Sequence, residues 1–124
     1  MKLKFYFLVA MLFYAHIALA DEVLIAPSQR TDAIYRHFYT QNIYTLLKLD
    51  TRNGRIWQVQ WGDKDHRFTS PLNLVALSDE SKPGRFTLYP TKNIFTFLLL
   101  DQDTGETWHI QWGNSGEKFI VPIN

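Results

Sequence analysis

Residues Val23 to Asn73 align without a gap on Leu74 to Asn124, so whatever this chain folds into must use one 51-residue unit twice. The strongest stretch reads NIYTLLKLDTRNGRIWQVQWG from Asn42 to Gly62 and NIFTFLLLDQDTGETWHIQWG from Asn93 to Gly113. All four tryptophans fall at matched positions, Trp57 with Trp108 and Trp61 with Trp112. Identities between the copies mark what the unit requires, and differences mark what it tolerates.

Apolar residues recur at period two within each copy, and aromatic and β-branched residues are frequent, which predicts strands. The pattern places them near Leu24 to Ala26, Tyr35 to Thr40, Ile43 to Leu49, Arg55 to Trp61 and Arg67 to Ser70, with equivalents one repeat later. Thr31 to His37 has room for a turn of helix. The expected fold is all-β: two tandem antiparallel meanders, repeat one at 23–73 and repeat two at 74–124, forming a pseudo-twofold sandwich or barrel. The alternative is a pair of propeller-like blades. Two blades cannot close a ring alone, so that alternative requires oligomerisation.

The central hairpin turns at Asp50-Thr51-Arg52-Asn53-Gly54 and Asp101-Gln102-Asp103-Thr104-Gly105, which share only Asp and Gly. The Asp carboxylate suits a turn N–H, and the Gly suits positive φ. A four-residue loop sets Leu49 opposite Ile56 and mixes polar and apolar residues on each face. A three-residue loop with a bulge sets Leu49 opposite Trp57 and sorts the faces, so it is the expected register. Ile43, Thr45, Leu47, Leu49, Trp57, Val59 and Trp61 then form the inner face. The outer face of repeat two would carry Phe95, Phe97, Leu99, His109 and Gln111, too apolar to stay in water without cover. The cover is either the Leu24 to Ile34 segment or a partner.

The first twenty residues have the pattern of an export signal: Lys2 and Lys4, an apolar run from Phe5 to Ile17, then Ala18-Leu19-Ala20 ahead of Asp21. The run is short for a membrane span, so residues 21–124 are expected as a single exported domain, periplasmic or extracellular, without a stable span. Loss of Lys2 and Lys4 lowers the formal charge from +1 to −1, which argues against nucleic acid held by bulk charge. With no cysteine, neither a disulfide framework nor a thiolate metal site is available, and stability must come from apolar burial.

The LD-x-x-x-G-x-x-W run of each copy, Leu49 to Trp57 and Leu100 to Trp108, resembles the strand-turn-strand of quinoprotein-type propeller repeats. As a whole the chain resembles small exported two-repeat β proteins of uncharacterised function.

Catalytic signatures are sparse. Asp50 and Asp101 invite comparison with paired carboxylates, but turn capping accounts for them. His37, His66 and His109 have no metal-like spacing, and neither metal nor other cofactor is expected. Asn42, Asn93, Asn73 and Asn124, with Thr40 and Thr91, read as turn caps. The chain is therefore expected to be a non-catalytic binding or interaction module, with a protein partner or self-association through Phe95, Phe97, Leu99, His109 and Gln111. An inhibitor or immunity-type protein is one version of this. The alternative is a lectin-like protein with two equivalent carbohydrate sites built from Trp57, Gln60 and Trp61 and from Trp108, Gln111 and Trp112, since aromatic faces stack on sugars and amides bond hydroxyls.

Overall fold

The structure, a computed structural model, describes residues 30–79, 81–113 and 118–124. The expected export signal and the Leu24 to Ala26 strand lie outside them. The equivalent of that strand in repeat two, residues 75–77, is not a strand.

The chain is all-β. Repeat one forms a meander of β1 (Tyr35–Tyr39), β2 (Thr45–Asp50), β3 (Ile56–Gln60) and β4 (Phe68–Asn73); a short 3-10 turn (Lys64–His66) precedes β4. Repeat two forms the matching meander of β5 (Phe86–Pro90), β6 (Thr96–Asp101), β7 (Thr107–Gln111) and β8 (Phe119–Ile123). Two four-stranded antiparallel sheets result, sandwich-like and not closed into a barrel. Residues 31 and 32 make only a turn, and the chain is extended from Tyr35 rather than helical. The last strand of each sheet carries a proline at the same place, Pro71 in β4 and Pro122 in β8.

The hairpin register corrects the sequence reading. Leu49 stands opposite Ile56, Lys48 opposite Trp57 and Leu47 opposite Gln58. Repeat two matches, with Leu100 opposite Thr107 and Leu99 opposite Trp108. The loop has four residues. Asp50 N–H donates to Arg55 O at 2.9 Å, and Gly54 N–H donates to Asp50 O at 3.0 Å. Asp101, Glu106 and Gly105 repeat this at 2.9 and 2.8 Å. Gly54 and Gly105 take φ of 82° and 81°, where a side chain would be strained. The Asp carboxylates accept from the N–H groups of Arg52 and Asp103, each at 3.0 Å. Turn chemistry at Asp and Gly thus sets the register.

Residues opposite one another in an antiparallel pair share a face. One face of the unit, the leucine face, carries Thr45, Leu47, Leu49, Ile56 and Gln58 in repeat one and Thr96, Leu98, Leu100, Thr107 and His109 in repeat two. The other, the tryptophan face, carries Leu46, Lys48, Trp57 and Val59, with Trp61 beyond the strand end, and in repeat two Phe97, Leu99, Trp108, Ile110 and Trp112. The core joins opposite faces. Leu47, Leu49 and Ile56 of sheet one are fully buried against Phe86, Leu88, Phe97, Leu99, Trp108, Ile110 and Trp112 of sheet two.

The tryptophan faces were expected to meet each other about a twofold axis. Instead the leucine face of sheet one packs on the tryptophan face of sheet two. Hydrogen bonds between the sheets join near-equivalent positions: Arg36 Nη1 donates to Thr87 Oγ1 at 3.4 Å, Gln41 Nε2 to Thr91 O at 3.4 Å and Lys118 Nζ to Ser70 Oγ at 3.2 Å. A twofold would bring equivalents together only near its axis. Here they meet on β1, in the following turn and on β4, so one sheet is stacked on the other front to back.

The capping residues behave alike in both repeats. Asn42 Oδ1 accepts from Tyr44 N–H, and Asn93 Oδ1 from Phe95 N–H, both at 2.9 Å. Thr40 and Thr91 hydroxyls donate to the carbonyls of Thr45 and Thr96 at 2.8 and 2.9 Å. Asn73 caps the junction between repeats, donating to Gly54 O and Val75 O at 3.0 Å each.

Candidate functional site

Front-to-back stacking leaves one tryptophan face and one leucine face on the outside. On sheet one, Tyr35, Trp57, Val59 and Trp61 form the outer face, with Tyr35 half exposed and Trp61 49 % exposed. Tyr35 meets Trp57 edge-on at 6.4 Å, and the Lys48 ammonium lies 4.8 Å from the Trp57 ring centre, a geometry in which the ring quadrupole attracts the cation. Trp61 meets Tyr44 edge-on at 5.3 Å.

On sheet two, Leu98, Leu100, His109 and Gln111 are partly buried, and the flanking β8 side chains Phe119, Val121 and Ile123 are 36 %, 46 % and 52 % exposed. Their register places them with Gln111, His109 and Thr107 on the same face. The His109 ring stands edge-on to Phe119 at 4.9 Å. The described part of the Leu24 to Ile34 segment lies elsewhere: Ile34 O accepts from Thr51 N–H at 2.8 Å, beside the first hairpin loop.

These positions revise the expected sites. Phe97 and Leu99 are core residues, 2 % and 0 % exposed, while His109 and Gln111 lie on the opposite face of the same sheet. Phe95 is exposed but sits before β6, edge-on to Trp112 at 5.1 Å. The five residues do not form one surface. Nor are the tryptophan pairs equivalent, because Trp108 and Trp112 are buried whereas Trp57 and Trp61 face outward. Trp112 Nε1 donates to Ile94 O at 3.1 Å, which satisfies the polar atom of a buried ring. Gln60 opposes Thr45 on the leucine face, away from Trp57 and Trp61. Two equivalent tryptophan and glutamine sites are therefore not formed.

The residues missed were Leu98, Leu100, Phe119, Val121 and Ile123. Their signal was continuous apolarity, as in Phe97-Leu98-Leu99-Leu100 and Phe119-Ile120-Val121-Pro122-Ile123. A strand with one wet face alternates; one covered on both sides does not.

The repeated aspartates are occupied by the fold. Asp50 accepts from Arg52 Nε and Nη2 at 3.0 and 2.9 Å. Burial pushes its carboxyl up, but Arg52 and Asn53 outweigh burial and hold it below the ordinary range. Asp101 accepts from Arg85 Nε and Nη2, each at 2.9 Å. Burial again opposes ionisation, while Arg85 and the N–H groups of Asp103 and Thr104 lower the carboxyl to about 2. Such a group stays ionised and engaged at neutral pH, which suits a structural anchor better than a proton carrier. Among the described residues no three His, Cys, Asp or Glu side chains are grouped to hold a metal ion. His66 Nδ1 pairs instead with Asp63 Oδ1 at 2.7 Å.

No family model, curated protein or solved structure matches the chain. Function must be argued from the surfaces themselves. No helix among the described residues is long and apolar enough to cross a membrane.

Proposed function

We propose that the chain is an exported, non-catalytic interaction module that works through the two outer faces of its stacked sheets. The supporting observation is that each outer face keeps large apolar side chains partly in water, Tyr35 and Trp61 on one and Phe119, Val121 and Ile123 on the other. Exposed apolar side chains clustered on one surface mark interaction sites in soluble proteins. The sequence of residues 1–20 supports export. An inhibitor or immunity role is compatible with the same surfaces.

Oxidative footprinting tests this reading. The mature chain is labelled by hydroxyl radicals once purified and dilute, and again in the unfractionated compartment that contains it. Protection of Trp57, Trp61, Leu98 and Val121 in the native setting is the expected result. Equal labelling in both settings overturns the reading. The carbohydrate alternative retains one aromatic platform, Trp61 with Tyr44, and predicts that a neutral oligosaccharide shields Trp61 fluorescence from acrylamide.

A further inference from the structure

Resting on that reading, we infer that the partner of both outer faces is a second copy of this chain, joined head to tail by the step that stacks the two sheets within one chain. The internal interface pairs the leucine face of repeat one with the tryptophan face of repeat two. What remains outside is the leucine face of repeat two and the tryptophan face of repeat one. These are the two halves of the same kind of interface, one at each end of the stack.

The matched positions show how closely the free faces follow the buried ones. On the leucine side, Leu98 and Leu100 repeat the fully buried Leu47 and Leu49 without change of residue. On the tryptophan side, Tyr35, Trp57, Val59 and Trp61 stand where sheet two buries Phe86, Trp108, Ile110 and Trp112. The hairpin glycines record the same vacancy. A Cβ on Gly54 would meet Leu77 at 2.9 Å and Phe86 at 3.4 Å of the next repeat, whereas one on Gly105, with the same φ, meets nothing within 4 Å. In the assembly the Tyr35 of the following copy covers Gly105 as Phe86 covers Gly54 within the chain.

A contact between unlike faces is heterologous, so it closes into a ring or grows as a filament. Stacked four-stranded sheets close radially with about four to eight sheets. With two sheets per chain, a ring takes about two to four copies. Lys48 stands where sheet two has the buried Leu99, so the contact between copies carries a cation that the internal one lacks. The assembly should dissociate on dilution before the chain unfolds.

The test uses the mature chain, residues 21–124, with its mass measured by light scattering on a sizing column across a range of concentrations. The expected mass is about two to four times that of one chain. Leu98→Glu blocks the leucine face of sheet two and Val59→Glu the tryptophan face of sheet one, and each should reduce the mass to one chain. Mixing the two variants should restore one junction, a one-to-one dimer and nothing larger, because each retains the face the other lacks. Circular dichroism checks that both remain folded. Should either fail, the more exposed Val121→Glu and Trp61→Glu replace them.

A wild-type chain that stays monomeric at all concentrations overturns the inference, as does either single variant retaining the wild-type mass. Monomeric purified protein with footprint protection in its native compartment refutes self-association and leaves the interaction reading standing. Monomeric protein without that protection refutes both.

Discussion

Replacing Leu49 and Leu100 by alanine, one at a time, measures how the sheets meet. The two leucines are the same residue at the same place in the repeat, and each follows a leucine or lysine and precedes the turn aspartate. A twofold sandwich would make them energetic equivalents. In the stacked arrangement Leu49 is 0 % exposed in the core, whereas Leu100 lies on an outer face and is only partly buried. Truncating a fully buried leucine costs about 2 to 5 kcal/mol, because the transfer term is joined by the cavity left behind. At Leu100 water can enter, no closed cavity remains, and roughly half the transfer term is lost, about 1 kcal/mol. For a domain near this size each kcal/mol lowers the melting temperature by about 4 to 8 °C. Leu49→Ala should then lower it by about 8 °C at the least and up to several times that, and Leu100→Ala by about 4 to 8 °C. Urea unfolding followed by tryptophan fluorescence, at a concentration where light scattering gives a single chain, provides the comparison. Losses equal to within about 0.5 kcal/mol would refute front-to-back stacking.

Acid stability follows from Asp101. Its folded carboxyl lies at about 2 against an ordinary 3.8, so the stabilisation is fully present above about pH 4 and is lost as pH falls through about 2. It amounts to on the order of 2 kcal/mol. The gap in urea stability between wild type and Asp101→Asn should shrink between pH 5 and pH 2; a gap constant over that window would contradict the assignment. Single-tryptophan deletions should also divide sharply. Trp61→Phe should remove most of the acrylamide-quenchable emission, while Trp112→Phe, buried at 3 % exposure, should leave it. The opposite outcome would place Trp112 in water.

Four strands of each repeat, the turn roles of Asp and Gly, and the caps at Thr40, Asn42, Thr91 and Asn93 were legible because each is a local property repeated in both copies. The register was not. Sorting residues into a dry and a wet face presumes that both copies bury the same face, and here each face is buried once and left outside once. Gln58 shows the error most directly: as a polar strand residue it suggests solvent, yet it is 0 % exposed in the core. The Arg85 to Asp101 pair was also hidden. Repeat one has Ile34 at the position of Arg85 and supplies its cation from Arg52 within the turn, so comparing the copies gave no hint of it. The outer faces were half legible, since unbroken apolar runs show that both sides of a strand are greasy without showing which side is covered.

The prolines at Pro71 and Pro122 bear on how such a surface stays soluble. Open sheets present edge strands whose free N–H and C=O groups can recruit any extended chain, the route to fibrous aggregation. A proline has no N–H to offer, and its ring keeps a neighbouring backbone from settling alongside. With one in the middle of β4 and one in the middle of β8, each sheet is blunted along one of its two borders by the same residue, inherited with the duplicated unit. Neighbours are thereby kept from adding strands along β4 and β8, so amyloid-like growth is left only the opposite borders, β1 and β5, which carry no proline in mid-strand.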